Sequence, residues 1–189
     1  NPATDSITIF FSEYAEGSSN NKYLEIYNNS DASIDLSAYS ISTCSNGCDA
    51  TGEFDYPDNV TFAAGTVLAA GDVYVVCHGS ASGEISAECD QTFTYLSNGN
   101  DFQALTLAGA TASSYTVIDQ IGDWGDDPGE GWDVAGVSEA TKDHTLVRKA
   151  SVTEGNGGDW VASAGTTADD SEYIVEERPT ADYTPATLG

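Results

Sequence analysis

Phe10-Phe11-Ser12-Glu13-Tyr14-Ala15-Glu16-Gly17-Ser18-Ser19-Asn20-Asn21-Lys22-Tyr23-Leu24-Glu25-Ile26-Tyr27-Asn28 reads as two strands and the turn that joins them. Ile7, Ile9 and Phe11 alternate with Thr8 and Ser12, and Leu24 and Ile26 share one face, a period of two that belongs to strands. Between the two runs, Glu16-Gly17-Ser18-Ser19-Asn20-Asn21 is turn chemistry, because Gly accepts positive φ and Asn and Ser bond their own backbone. The stretch is therefore a long-looped hairpin. Working outward, further strands are expected at residues 34–41, 60–62, 73–77, 103–107, 115–121, 145–148 and 173–175. Ala64-Gly65, Ala70-Gly71-Asp72, Ser97-Asn98-Gly99-Asn100 and Gly155-Asn156-Gly157-Gly158 separate them. Helix is scarce, with a turn or two expected at 83–89 and another at 137–142. Many short strands so punctuated predict an all-β sandwich. Residues 42–59 and 122–141 exceed the usual connection and read as long irregular loop insertions.

The chain has 189 residues, 40% of them hydrophobic, which suits one folded domain with a substantial core and excludes a disordered acidic tail as a description of the whole. Against 31 Asp and Glu stand five bases, Lys22, Lys142, Arg148, Lys149 and Arg178, for a net charge of −26. Self-repulsion on that scale is relieved by screening salt or bound cations, so seawater-like ionic strength or a calcium-rich exterior fits. Direct nucleic-acid binding is excluded as an expectation, since its affinity comes from Lys and Arg displacing counterions. No apolar run approaches the roughly 18 residues of a membrane span.

Met is absent, and the sequence opens Asn1-Pro2-Ala3, which reads as a mature or trimmed product of a secreted protein. Four cysteines, Cys44, Cys48, Cys77 and Cys89, fit that compartment, and three pairings are open. Joining Cys44 to Cys48 and Cys77 to Cys89 is the preferred arrangement. Zinc, with His78 beside Cys77, and buried free thiols are the alternatives, although the spacings suit zinc poorly. Asn28-Asn29-Ser30 and Asn59-Val60-Thr61 match the glycosylation triplet.

The hairpin resembles the opening of a lamin tail domain. Ile34-Asp35-Leu36-Ser37-Ala38-Tyr39-Ser40-Ile41 is similar to that family's third strand, and Ala64-Gly65-Thr66-Val67-Leu68-Ala69-Ala70-Gly71-Asp72-Val73-Tyr74-Val75-Val76 to its Gly-punctuated hairpin. Leu96-Ser97-Asn98-Gly99-Asn100-Asp101, Val117-Ile118-Asp119-Gln120-Ile121-Gly122-Asp123, Thr145-Leu146-Val147-Arg148-Lys149 and Asp159-Trp160 continue the order, so the likeness spans roughly residues 6–175. The runs at 131–137 and 142–149 resemble extracellular bacterial and marine algal members, which often accompany secreted nucleases, phosphatases or adhesins. The resemblance implies an immunoglobulin-like sandwich without catalytic activity of its own. It also makes an accessory domain of an extracellular hydrolase an alternative to a binding or adhesion module.

Two acidic groups are candidate calcium sites. Asp123, Asp126, Asp127, Glu130 and Asp133 fall within eleven residues bent by Gly and Pro, and calcium takes six to eight oxygens from such loops. The competing reading is a solvated acidic loop anchored by Trp124 or Trp132. The second group joins Glu13, Glu16, Asn21 and Glu25 of the hairpin, with Asp101 as a further ligand. Cross-strand carboxylates about 4.5–5.5 Å apart repel unless a cation or a proton intervenes, and Lys22 is the simpler partner. Catalysis finds no support: with 31 acidic residues, a glycosidase-like pair can be named by chance. Gly79-Ser80-Ala81-Ser82-Gly83 puts Ala where a nucleophile elbow needs Ser. His78 and His144 read as structural. Ten Tyr and three Trp leave carbohydrate binding as an alternative, if several rings are exposed.

Overall fold

The computed structural model describes residues 8–125 and 127–177. Ile7, Asp126 and Arg178, which enter the readings above, lie outside the described residues.

Twelve strands form among the described residues. The hairpin is β1 (Ile9–Glu16) and β2 (Lys22–Asn28); the others are β3 (Ile34–Asp35), β4 (Tyr39–Cys44), β5 (Tyr56–Thr61), β6 (Val67–Leu68), β7 (Val73–Cys77), β8 (Gln91–Thr92), β9 (Phe102–Leu107), β10 (Val117–Ile121), β11 (His144–Arg148) and β12 (Tyr173–Glu177). Two short helices, α1 (Gly83–Ala87) and α2 (Trp160–Ala164), complete the set. One sheet has the order β12-β11-β1-β2-β7-β8 and the other β10-β9-β4-β5, with β3 and β6 forming a small ribbon. Pairing is antiparallel except where β8 joins β7. This is the expected all-β, immunoglobulin-like β-sandwich.

Between the sheets lie Ile9, Phe11, Tyr14, Leu24, Ile26, Val76 and Leu146 from one side and Ile41, Val60, Leu105, Ile118 and Ile121 from the other, in one cluster. Burying each such side chain is worth about 1.5–3 kcal/mol. The inward set on β1 departs from strict alternation. Phe11 pairs with Ile26 but the next partner of Glu25 is Glu13, so Ser12 is an extra, bulged residue. A one-residue shift exchanges the faces of a strand. It turns Tyr14 into the core and places Glu13 and Ala15 on the outer face.

Both outer faces carry a small apolar cluster closed by a disulfide. Ala15, Tyr23, Val75, Cys77 and Ile85 of α1 pack beyond the six-stranded sheet, and Cys77 is bonded to Cys89. Beyond the four-stranded sheet, Cys44, Cys48, Phe54, Phe102 and Ala104 pack with Tyr115, Trp124 and Trp132 against them, and Cys44 is bonded to Cys48. Trp124 sits 4.6 Å from Phe102 and 4.8 Å from Phe54, ring centre to ring centre.

A buried ion pair ties the sheets together. The Arg148 guanidinium on β11 donates to both Asp119 oxygens on β10, at 3.0 and 3.1 Å, and both side chains are fully buried. Asp119 also accepts from the backbone N–H of Phe11 at 2.8 Å and of Asn156 at 2.9 Å. Burial works against the charged guanidinium, but the Asp119 carboxylate overrides it and holds Arg148 protonated above its ordinary range. The Tyr173 ring lies 4.7 Å from the guanidinium carbon.

Three local readings change. Residues 34–41 are not one strand: Asp35 caps a 3-10 turn at Leu36–Ala38, accepting from the Ser37 N–H at 3.0 Å, before β4 begins. Residues 137–142 make turns instead of a helix, with Glu139 at φ 54° and the Lys142 N–H bonded to the Glu139 carbonyl. The helix falls instead at Trp160–Ala164, where Asp159 accepts from the Ala162 N–H at 3.1 Å and Gly165 ends it at positive φ. The Asn28 amide is buried and donates to the carbonyls of Ala32, Leu68 and Ala69, which closes that glycosylation triplet in the folded chain.

Candidate binding cleft

Antiparallel pairing brings one set of strand ends together. Tyr23 on β2 pairs with Cys77 on β7, Cys44 on β4 with Phe102 on β9, and Ala15 on β1 with Thr145 on β11. The β1–β2 loop, the 45–55 loop, the 97–101 turn and the 122–143 insertion therefore share one end of the sandwich. Two clefts open there.

The first has a volume of about 440 Å³ and is lined by residues that include Asn20, Lys22, Cys44, Tyr56, Asn59, His78, Thr94, Tyr95 and Asp101. The second, about 480 Å³, adjoins it through Ser19, Lys22 and Asn98, and adds Glu16, Asn100, Glu130, Lys142 and Asp143. Lys22 stands between them. Its ammonium is buried, pairs with Glu16 at 3.2 Å, and donates to the Ser97 carbonyl at 3.0 Å and to the Asn98 side chain. Gly99 allows the adjoining turn to close. At φ 109°, a Cβ there would meet the Glu130 carbonyl at 2.5 Å and the Lys142 Cβ at 2.7 Å.

The candidate metal ligands distribute themselves over this end as follows. Glu16 pairs with Lys22 and also accepts from the Asp143 N–H at 2.6 Å. Asp101 accepts from the backbone N–H groups of Asn46 at 2.8 Å and Asn98 at 3.3 Å. In the insertion, Asp123 accepts from the Trp124 N–H, Asp127 from the Gly129 N–H and the Asn100 amide, and Asp133 from the Glu139 N–H. Glu130 pairs with Lys142. The carboxylates thus fasten loop amides, and Glu16 and Glu130, from the two sequence groups, meet across one cleft with a lysine each. Among the described residues no three His, Cys, Asp or Glu side chains gather as a metal-holding group.

Glu13 and Glu25 stand apart from the clefts, as registered partners on the outer face of the β1–β2 pair. Both are buried. Glu13 accepts from the Tyr23 hydroxyl at 2.8 Å, and Glu25 accepts from the Ser12 hydroxyl at 2.7 Å. Burial first, and then the facing Glu25 charge, push Glu13 from 4.5 up to about 8, so near neutral pH a proton occupies the pair. Here the proton, not a lysine, relieves the repulsion; Lys22 serves Glu16.

Sequence reasoning passed over Tyr56, Tyr95, Asn20 and Asn59 as site residues. Their signal was faint: a Tyr at the start of β5 and another after β8, 39 positions apart in sequence. A family model described as Lamin Tail Domain matches residues 2–126, well over half of the chain. No curated protein and no solved structure matches it. No helix among the described residues is long and apolar enough to cross a membrane.

Proposed function

Because the chain belongs to the lamin tail domain family, an immunoglobulin-like and non-enzymatic fold, we propose that it works as a secreted binding or adhesion module that offers its loop end to a ligand. One observation carries this reading: the loops of that end frame two adjoining clefts, held in shape by a buried lysine, a disulfide and carboxylate-to-amide bonds. Such preorganisation lowers the entropy cost of binding. The two disulfides and the charge of −26 support an extracellular setting and a likeness to the extracellular members of the family.

Calcium enters as a counter-ion that the acidic surface draws in, ordering the loops by mass action. Asp123, Asp127, Glu130 and Asp133 are the described carboxylates of the insertion that would meet it.

Retention tests the binding role. Beads bearing the wild-type chain are expected to hold components of an extracellular extract that beads bearing a Ser45→Gln/Thr94→Gln variant, with uncharged bulk in the first cleft, do not. Equal retention by both would remove the loop end as the binding surface.

A further inference from the structure

We infer that the first cleft is a subsite for a neutral carbohydrate, held by stacking on Tyr56 and Tyr95; the inference rests on the binding reading above and names its ligand class. Tyr56 is 53% exposed and Tyr95 78%, and among the described residues they are the aromatic side chains left open to solvent. Both line the same cleft. Single exposed apolar residues need no explanation, but a pair of rings in one concave site marks a ligand surface.

Local structure anchors both residues. Tyr56 opens β5 opposite Thr43, and Tyr95 leans edge-on against Phe93 with centroids 5.9 Å apart. A tyrosine presents a large flat face with few torsions to freeze, which suits the C–H face of a pyranose ring. Neither hydroxyl, nor the Asn20 amide, makes a hydrogen bond among the described residues, so each can serve a sugar hydroxyl. His78 Nδ1 accepts from the Ser80 N–H at 3.0 Å. That bond places the ring proton on Nε2 in the neutral imidazole, a donor for the ligand. The Asn59 amide donates to Thr43 at 2.7 Å and keeps its carbonyl oxygen as an acceptor.

Charge selects among ligands. The lining combines one carboxylate, Asp101, with one ammonium, Lys22, in a chain whose net charge is −26. The surrounding field repels phosphates, sulfated and uronic sugars. A cationic ligand would find denser carboxylates elsewhere on the surface. A neutral, hydroxyl-rich molecule matches the amides, hydroxyls and rings that remain, whereas a proline-rich peptide would use the rings and leave most of those polar groups without partners.

The experiment is a titration of the full chain by calorimetry and tyrosine fluorescence. Its probes are neutral hexasaccharides of glucose, mannose and galactose, a glucuronic acid oligomer, a chitosan oligomer and a proline-rich decapeptide. At least one neutral hexasaccharide is expected to bind with Kd below 1 mM. Tyr56→Ala and Tyr95→Ala should each weaken it tenfold or more, Tyr95→Phe by less than threefold, with thermal melts showing all three variants folded. The inference is overturned if no neutral sugar binds at 10 mM, if the charged oligomers or the peptide bind in preference, or if the alanine variants bind as the wild type does. Absent sugar binding with bead retention still lost in the Ser45→Gln/Thr94→Gln variant would remove the carbohydrate and leave the binding module; equal bead retention would remove both.

Discussion

Replacing Glu13 with Gln should make the protein more stable in mild alkali and leave it nearly unchanged in mild acid. The wild-type carboxyl is buried beside Glu25 and takes up its proton near pH 8 instead of 4.5. A carboxyl whose folded value is raised favours the folded state below the ordinary value, and that favour is lost as pH climbs through the raised one. One pH unit is worth about 1.4 kcal/mol, so the window from 4.5 to about 8 carries about 4–5 kcal/mol, of which about 3–4 kcal/mol falls between pH 5 and 8. Gln keeps the size of the side chain and an oxygen for the Tyr23 hydroxyl, but never ionises. Urea midpoints of both proteins between pH 5 and 9 measure the effect. Taking the difference at each pH cancels the self-repulsion of the other carboxylates, which also grows with pH. In thermal melts the variant should gain about 10 °C over the wild type at pH 8, at about 2–4 °C per kcal/mol. A difference that stays flat from pH 5 to 9 would refute the reasoning, because it would mean that Glu13 ionises as easily in the folded chain as in the unfolded one.

Asp119→Asn should cost about 3–5 kcal/mol, since it leaves the buried Arg148 guanidinium with the half-exposed Glu172 carboxylate as its charged partner; a urea-derived loss below 1 kcal/mol would mean that the pair does not hold the sheets. In low salt, millimolar Ca²⁺ should raise the melting temperature and EDTA reverse the gain, while 1 M NaCl, with a Debye length of about 3 Å, should substitute for it. A melt indifferent to Ca²⁺ and EDTA would take calcium out of the proposal.

Much of the strand framework was legible in short-range pattern. The alternation of Leu24 and Ile26, the turn residues 17–21 and the glycine-marked breaks each depend on neighbours a few positions away, and the structure places strands and loops there. The bulge at Ser12 was not legible. A serine follows the alternation as an outward residue, and only pairing with β2 reveals it as an extra one. Asp119 and Arg148 stood in view as charges inside apolar runs, at positions where an unpaired charge would be costly. Their partnership, however, spans 29 residues and two sheets. The acidic insertion was read as one group because its carboxylates are neighbours in sequence. In the fold, Asp123, Asp127 and Asp133 accept from separate backbone amides, and Glu130 pairs with Lys142.

By itself the sequence determined the all-strand framework, the places where it turns, and a charge that must be screened, because these follow from local periodicity and a count of ionisable groups. Tertiary structure decided which carboxylates are buried, which are paired, and which rings remain open at the loop end. Those outcomes depend on cross-strand register, and a single bulged residue exchanges the face on which every later side chain of the strand is found.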